Sequence, residues 1–205
     1  MERLGQTIHR GPGYVFIKEG EETDHALLIR KGHVQVTAGT PPRLVAIRGA
    51  GEIVGEMAGI RQKPRSASIE ALDDVEVLLV PADKWLRFLY DNPRAMHAQL
   101  VAKDERLEQA TRKIAESDLA VEQRLAKVLV ELAEIGLGAR GQEGIILRYS
   151  QQDLARLIGA SPDSVKKIIR LFKANGIVGT GRQMTIILNL DGLRDVAAGN
   201  LSDAL

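Results

Sequence analysis

The sequence predicts an α+β chain in three consecutive parts: a β-roll of jelly-roll type, one long amphipathic helix, and a helix-turn-helix closed by a β-hairpin. Three observations predict it. Up to Pro81 the apolar residues fall in short, closely spaced runs punctuated by glycine; from Asn92-Pro93 they recur every seven residues; after Gly144 two short helical stretches flank a lone glycine. The three parts are placed at residues 1–92, 93–135 and 136–205.

In the first part the strand-like runs are 14–17, 26–29, 34–36, 44–47, 68–71 and 75–80. Turn residues separate them, at Lys18-Glu19-Gly20-Glu21, Arg30-Lys31-Gly32-His33 and Gly39-Thr40-Pro41-Pro42. A short helix is expected over 82–90, and Asn92-Pro93 opens a long one carried to about residue 134, because neither proline nor glycine interrupts it. Leu100, Leu107, Ile114, Val121 and Val128 recur every seven residues, joined four positions on by Asp104, Thr111, Asp118, Leu125 and Leu132. That is a coiled-coil seam with a polar first half. About forty residues at ~1.5 Å each reach roughly 60 Å, more than one small domain can cover, so a homodimer is expected.

The four glycines of 136–144 read as a linker, after which the third part begins. Residues 149–169 hold a helix, a glycine turn and a second helix: Ala155 is small where the two helices would cross, and Gly159 makes the turn. Ser161 and Pro162 suit the N-cap and first position of a second helix, whose inner face takes Val165 and Ile168. A hairpin over 175–188, tipped by Arg182, completes a winged helix-turn-helix. The formal net charge is only +1, yet between Gln151 and Arg182 six basic residues face two acids. Ser150, Gln151, Ser161, Asp163, Ser164, Lys166, Lys167, Arg170 and Arg182 are the candidate DNA contacts.

Composition excludes several chemistries. With 44% hydrophobic and 27% charged residues the chain can bury an ordinary core, and the absence of cysteine removes disulfides, thiolate nucleophiles and cysteine-held metal centres. His9, His25, His33 and His97 lack metal-ligand spacing, so no metal is assigned. Neither an apolar run of about eighteen residues nor a charged-then-apolar leader is present, and a cytoplasmic protein without a membrane partner is expected.

Between Gly55 and Ser68 the acid Glu56 and the arginine Arg65 share a short loop with several backbone amides, a set that suits a small phosphate with a ribose. Gly55-Glu56-Met57-Ala58 followed by Pro64-Arg65-Ser66-Ala67 resembles the phosphate-binding cassette of cyclic-nucleotide-binding domains. A cyclic-nucleotide-binding β-roll, a long dimerisation helix and a C-terminal winged helix-turn-helix, in that order, resemble the Crp/Fnr family of transcription regulators. The resemblance implies a homodimer, not an enzyme, that binds a pseudo-palindromic operator in double-stranded DNA under control of a cyclic nucleotide, cyclic AMP first and cyclic GMP second. It also brings RNA polymerase into view as a partner.

By the same resemblance Gly55, Glu56, Met57 and Ala58 surround the ribose and phosphate, Arg65 pairs with the phosphate, and Ser66 and Ala67 add further contacts. The family's Thr-Ser pair at the adenine is replaced by Gln109 and Ala110, with Thr111 and Arg112 as substitutes within one turn. Where the family's recognition helix has Arg-Glu-x-x-x-Arg, this chain has Pro162-Asp163-Ser164-Val165-Lys166-Lys167, which implies a different operator. The competing readings are a regulator active without ligand, a sensor of another small molecule, including a haem held by His97, and a cupin-like enzyme.

Overall fold

The computed structural model describes residues 4–40, 42–115 (side chains to 111) and 119–200. It divides into two compact units, Met1–Lys113 and Ile114–Leu205.

The first unit runs β1 (Gln6–Arg10), β2 (Val15–Ile17), β3 (Ala26–Lys31), β4 (Val34–Ala38), β5 (Arg43–Arg48), β6 (Ile53–Val54), α1 (Glu56–Arg61), β7 (Ser68–Ala71), β8 (Val75–Val80), α2 (Ala82–Asp91) and α3 (Pro93–Ala115). Its strands form two four-stranded sheets, ordered β1-β8-β3-β6 and β2-β7-β4-β5, every pairing antiparallel. The core between them holds Ile17, Leu27, Ile29, Val34, Val54, Ile69, Val75 and Val77.

The strand β8 explains its own sequence. Val75 and Val77 point into that core, while Leu78 and Val80 join Ala26, Trp85 and Leu89 in a second cluster against α2. Both faces are covered from Val77 to Val80, so that run is continuously apolar instead of alternating, and only Glu76 interrupts the strand with a charge. The sequence reading placed the first strand at residue 14; β1 precedes it and pairs with β8 from Gln6↔Leu79 to Arg10↔Val75. Its Gln6, Thr7, His9 and Arg10 are exposed, and only Ile8 packs on the core, which leaves too weak an alternation to announce a strand.

The second unit contains α4 (Val121–Glu134), β9 (Ala139–Arg140), β10 (Ile145–Leu147), α5 (Gln151–Ile158), α6 (Pro162–Ala174), β11 (Val178–Gly181), β12 (Met184–Ile187) and α7 (Leu190–Ala198). Its sheet has the order β11-β12-β10-β9. Leu125, Leu129, Leu132, Leu154, Val165, Ile169, Phe172 and Leu193 are buried.

Two expectations need correction here. The helix expected to run unbroken to residue 134 is two helices: Ala120 has ψ 149°, and α4 starts afresh at Val121 with Gln123 Oε1 accepting the Ala120 N–H at 3.3 Å. No proline or glycine marks the break. It follows from packing, because Leu125 and Leu132, expected in a dimer seam, are buried inside the second unit. The seam residues Asp118 and, for its side chain, Ile114 lie outside the described residues.

The second correction concerns 136–144, which is no linker but contains the hairpin β9–β10, closed by Gly141 N–H donating to Gly144 O at 2.8 Å. A Cβ on Gly138 would collide with the Ile145 side chain and one on Gly144 with the Ile187 carbonyl. These glycines permit close approach, not slack.

Candidate ligand cavity and nucleic-acid interface

Arg65 is fixed by backbone before its side chain is considered. Gly20 N–H donates to Arg65 O at 2.8 Å and Arg65 N–H to Glu21 O at 2.9 Å. The guanidinium, on a residue only 4% exposed, then donates from Nε to Thr23 Oγ1 at 2.8 Å, from Nη1 to Gly55 O at 2.5 Å and from Nη2 to His25 O at 2.9 Å. Gly55 makes the approach possible: its φ is +78°, and a Cβ there would lie 2.5 Å from Ile17 Cδ1 and 3.1 Å from Arg65 Nη1. Burial pulls the Arg65 guanidinium below its ordinary value, with Asp24 and Glu21 opposing. Burial, then Arg65, pulls the His25 imidazole down as well.

The stretch after Gly55, expected as a loop, is the six-residue helix α1. Glu56 is 2% exposed, and its Oε1 accepts bonds from Lys103 Nζ and from Arg106 Nη1 at 3.3 Å, both on α3. Arg106 also donates to Ile53 O at 2.5 Å and lies 3.9 Å from Glu52. Arg48, at the end of β5, is 3.3 Å from Glu52 and donates from Nη1 to Gln109 Oε1 at 3.0 Å. Burial, followed by the charges of Arg106 and Arg48, lowers the Lys103 ammonium to about 8.

Arg48, Glu56, Arg65, Lys103, Arg106 and Gln109 line one cavity of about 240 Å³ in the first unit. Gly55, Glu56, Met57, Ala58, Arg65, Ser66 and Ala67 line it together; Val36, Val45 and Ala46 give an apolar wall; Lys103, Arg106, Gln109 and Ala110 come from α3. Such a space, apolar with convergent cations, takes a small organic anion. Thr111 is outside this lining, its hydroxyl donating to Leu107 O at 2.9 Å. His97 is exposed and also outside it, and the side chain of Arg112 is not among the described residues.

Sequence reasoning missed Arg48, Lys103 and Arg106. Lys103 and Arg106 sit three apart on a helix, a spacing that puts them on one face, but in a chain with 28 basic residues that alone distinguishes nothing.

In the second unit the helix-turn-helix is built by its caps. Ser150 Oγ accepts from Asp153 N–H at 3.2 Å and Asp153 Oδ2 accepts from Ser150 N–H at 3.0 Å; α5 ends at Gly159, whose φ is 63°. Ser161 Oγ accepts from Ser164 N–H at 3.1 Å, and Pro162 opens α6. Thus Ser150 and Ser161 have structural bonds at positions expected to contact DNA, and Ser161 Oγ lies 2.8 Å from Ser164 Oγ. Val165, Ile168, Ile169 and Phe172 bury the inner face of α6. Asp163, Lys166, Lys167, Arg170 and Lys173 are exposed, Gln151 is half-buried, and Arg182 is exposed in the two-residue turn between β11 and β12. Four cations on one solvent face of a capped helix can track phosphates.

Among the described residues no helix is long and apolar enough to cross a membrane. A family model described as cyclic nucleotide-binding domain matches residues 8–92, and one described as Crp-like helix-turn-helix domain matches residues 123–196. The chain is 26% identical over 169 residues to a CRP-like cAMP-activated global transcriptional regulator of Mycobacterium tuberculosis, covering 80% of this chain and 75% of the relative. It is 26% identical over 194 residues to the cyclic AMP receptor protein of Thermus thermophilus, covering 88% and 83%. Among solved structures, the c-di-GMP responsive global regulator CLP of Xanthomonas campestris aligns with a TM-score of 0.80 at 21% identity, covering 91% of this chain and 95% of that one.

Proposed function

Because the chain belongs to the Crp/Fnr family of transcription regulators, we propose that it is a homodimeric reader of a pseudo-palindromic operator whose DNA affinity is set by a cyclic purine nucleotide in the cavity of the first unit. The observation that carries the reading is the convergence on one cavity of the buried Arg65, the cassette residues Gly55–Ala58 and Ser66–Ala67, and four residues of α3. The names of two relatives favour cyclic AMP as effector.

The helix α3 links ligand to dimer. Lys103, Arg106 and Ala110 line the cavity, while Leu100 and Leu107, 63% and 65% exposed, lie on an adjacent face about a quarter-turn round with Asp104 and Thr111. Leucines exposed seven residues apart on one helix face are the kind of surface a twofold partner covers. A ligand that replaces the bonds of Lys103 and Arg106 to Glu56 shifts α3 and with it the partner helix, and so favours one dimer arrangement. Only an arrangement that sets two copies of α6 about 34 Å apart enters successive major grooves. Such a protein acts in the cytoplasm, where operator DNA is.

The test is isothermal titration of nucleotide-stripped protein with cyclic AMP and cyclic GMP, followed by gel shift on a selected operator with and without the ligand that binds. Micromolar binding with tighter DNA binding supports the proposal. No binding to either, with unchanged DNA affinity, makes the protein a regulator gated in another way.

A further inference from the structure

We propose that the cavity selects guanine over adenine, so that its effector is a cyclic guanine nucleotide; this rests on the reading of the cavity as a cyclic-nucleotide site and narrows it. With the phosphate at Arg65 and the cassette, the walls left for the base are β4–β5 and α3. Their apolar part, Val36, Val45, Ala46 and Ala110, has no side chain able to read a base edge. The reading falls to the polar side chains beside them.

Arg48 and Gln109 form the pair that decides it. Both line the cavity, and Arg48 Nη1 donates to the Gln109 amide at 3.0 Å. A guanidinium has donors and no acceptor, so the amide atom facing it is oxygen, and the nitrogen with its two hydrogens is the other limb. The first acceptor position of Gln109 is therefore used within the protein. Lys103 and Arg106, the other polar residues of α3 in the lining, are donors only, and Glu56, whose Oε1 accepts from both, belongs to the cassette at the ribose and phosphate and not to the walls left for the base.

A wall of donors discriminates between the purines. Guanine presents two adjacent acceptors, N7 and O6; adenine presents N7 beside an amino group that is itself a donor. Guanine meets the wall with two hydrogen bonds. Adenine sets its amino hydrogens against donors and leaves them desolvated without a partner, the kind of mismatch that a hydrogen-bonding site rejects most strongly. Neither the cassette nor the apolar wall makes that distinction, since ribose, cyclic phosphate and ring stacking are common to both ligands.

Titration calorimetry of the nucleotide-stripped full chain with cyclic GMP, cyclic AMP and cyclic di-GMP tests this, on wild type and on Gln109→Glu. That variant keeps the partner of Arg48 and exchanges the amide donors for a second acceptor. Wild type should bind cyclic GMP about ten-fold or more tighter than cyclic AMP, and Gln109→Glu should shrink or invert that ratio. Tighter binding of cyclic di-GMP than of cyclic GMP supports the same guanine recognition with a dinucleotide as its source. Cyclic AMP binding as tightly as cyclic GMP overturns the inference and leaves the cyclic-nucleotide site standing; no binding by any of the three overturns both. A guanine preference that Gln109→Glu leaves unchanged overturns the assignment to this pair. Gln109 is exposed on a helix, and its variant is checked by circular dichroism; should it fail to fold, the wild-type ratio alone decides.

Discussion

Replacing Arg65 by alanine should damage the fold as well as ligand binding, and the two losses can be separated. The side chain donates to Thr23 Oγ1 and His25 O in the connection between β2 and β3 and to Gly55 O before α1, and so ties two distant segments of the first unit together. A hydrogen bond from a charged donor contributes about 1.5–3 kcal/mol, so the gross loss is roughly 6 kcal/mol. Part returns, because water can reach the freed acceptors from the cavity that Gly55 lines through the space the side chain leaves. A net loss of about 3 kcal/mol remains, which for a unit of this size lowers the midpoint of thermal unfolding by roughly 10–20 °C. Differential scanning calorimetry on wild type and Arg65→Ala measures it. Cyclic nucleotide at about 100 times its Kd adds about 2.7 kcal/mol to the wild type by mass action and should add nothing to the variant. A ligand-free midpoint within about 2 °C of wild type would refute the structural role assigned to the three bonds.

Four further outcomes are expected. Lys103 holds its proton up to about 10.5 in the unfolded chain but releases it from about 8 in the fold, so between these values the unfolded state binds more protons and stability rises with pH; urea midpoints at pH 7.5, 9 and 10.5 should show this slope, flattened in Lys103→Met. Leu107→Glu places a charge on the exposed apolar face of α3 and should turn the dimer into monomer in light scattering, while circular dichroism stays as in wild type. Lys167→Ala should weaken operator binding and reduce the slope of log affinity against log salt by about one, read by fluorescence anisotropy. Ser161→Ala removes the cap on Ser164 N–H and should cost the second unit about 1 kcal/mol in urea denaturation.

Much of the cavity was legible because its residues are adjacent in sequence. Gly55–Ala58 and Arg65–Ala67 form two short runs, and a glycine, an acid and an arginine at that spacing have few other uses; Gln109 was reached only through the resemblance, as the replacement for the family's Thr-Ser pair. The partners of Glu56 were not legible. Lys103 and Arg106 stand 47 and 50 residues from it, and only packing of α3 against the β-roll brings them to its carboxylate. In the second unit Ser161 was legible as an N-cap from its place before Pro162, whereas the cap made by Ser150 shows only in its bonds with Asp153.

The sequence by itself determined the order of parts, a β-roll, helices and a helix-turn-helix with its hairpin, because each is written in local periodicity and in glycine, proline and serine at turns and caps. It also placed the exposed cations of α6, which follow from helix spacing once Val165, Ile168 and Phe172 are turned inward. Only the tertiary structure decided where the long helix breaks, since Leu125 and Leu132 satisfy a seven-residue repeat equally well in a seam or in a core. The same holds for the donors that surround the cavity: charge and hydrogen-bond direction at a site depend on which distant side chains share it, and that is a property of packing.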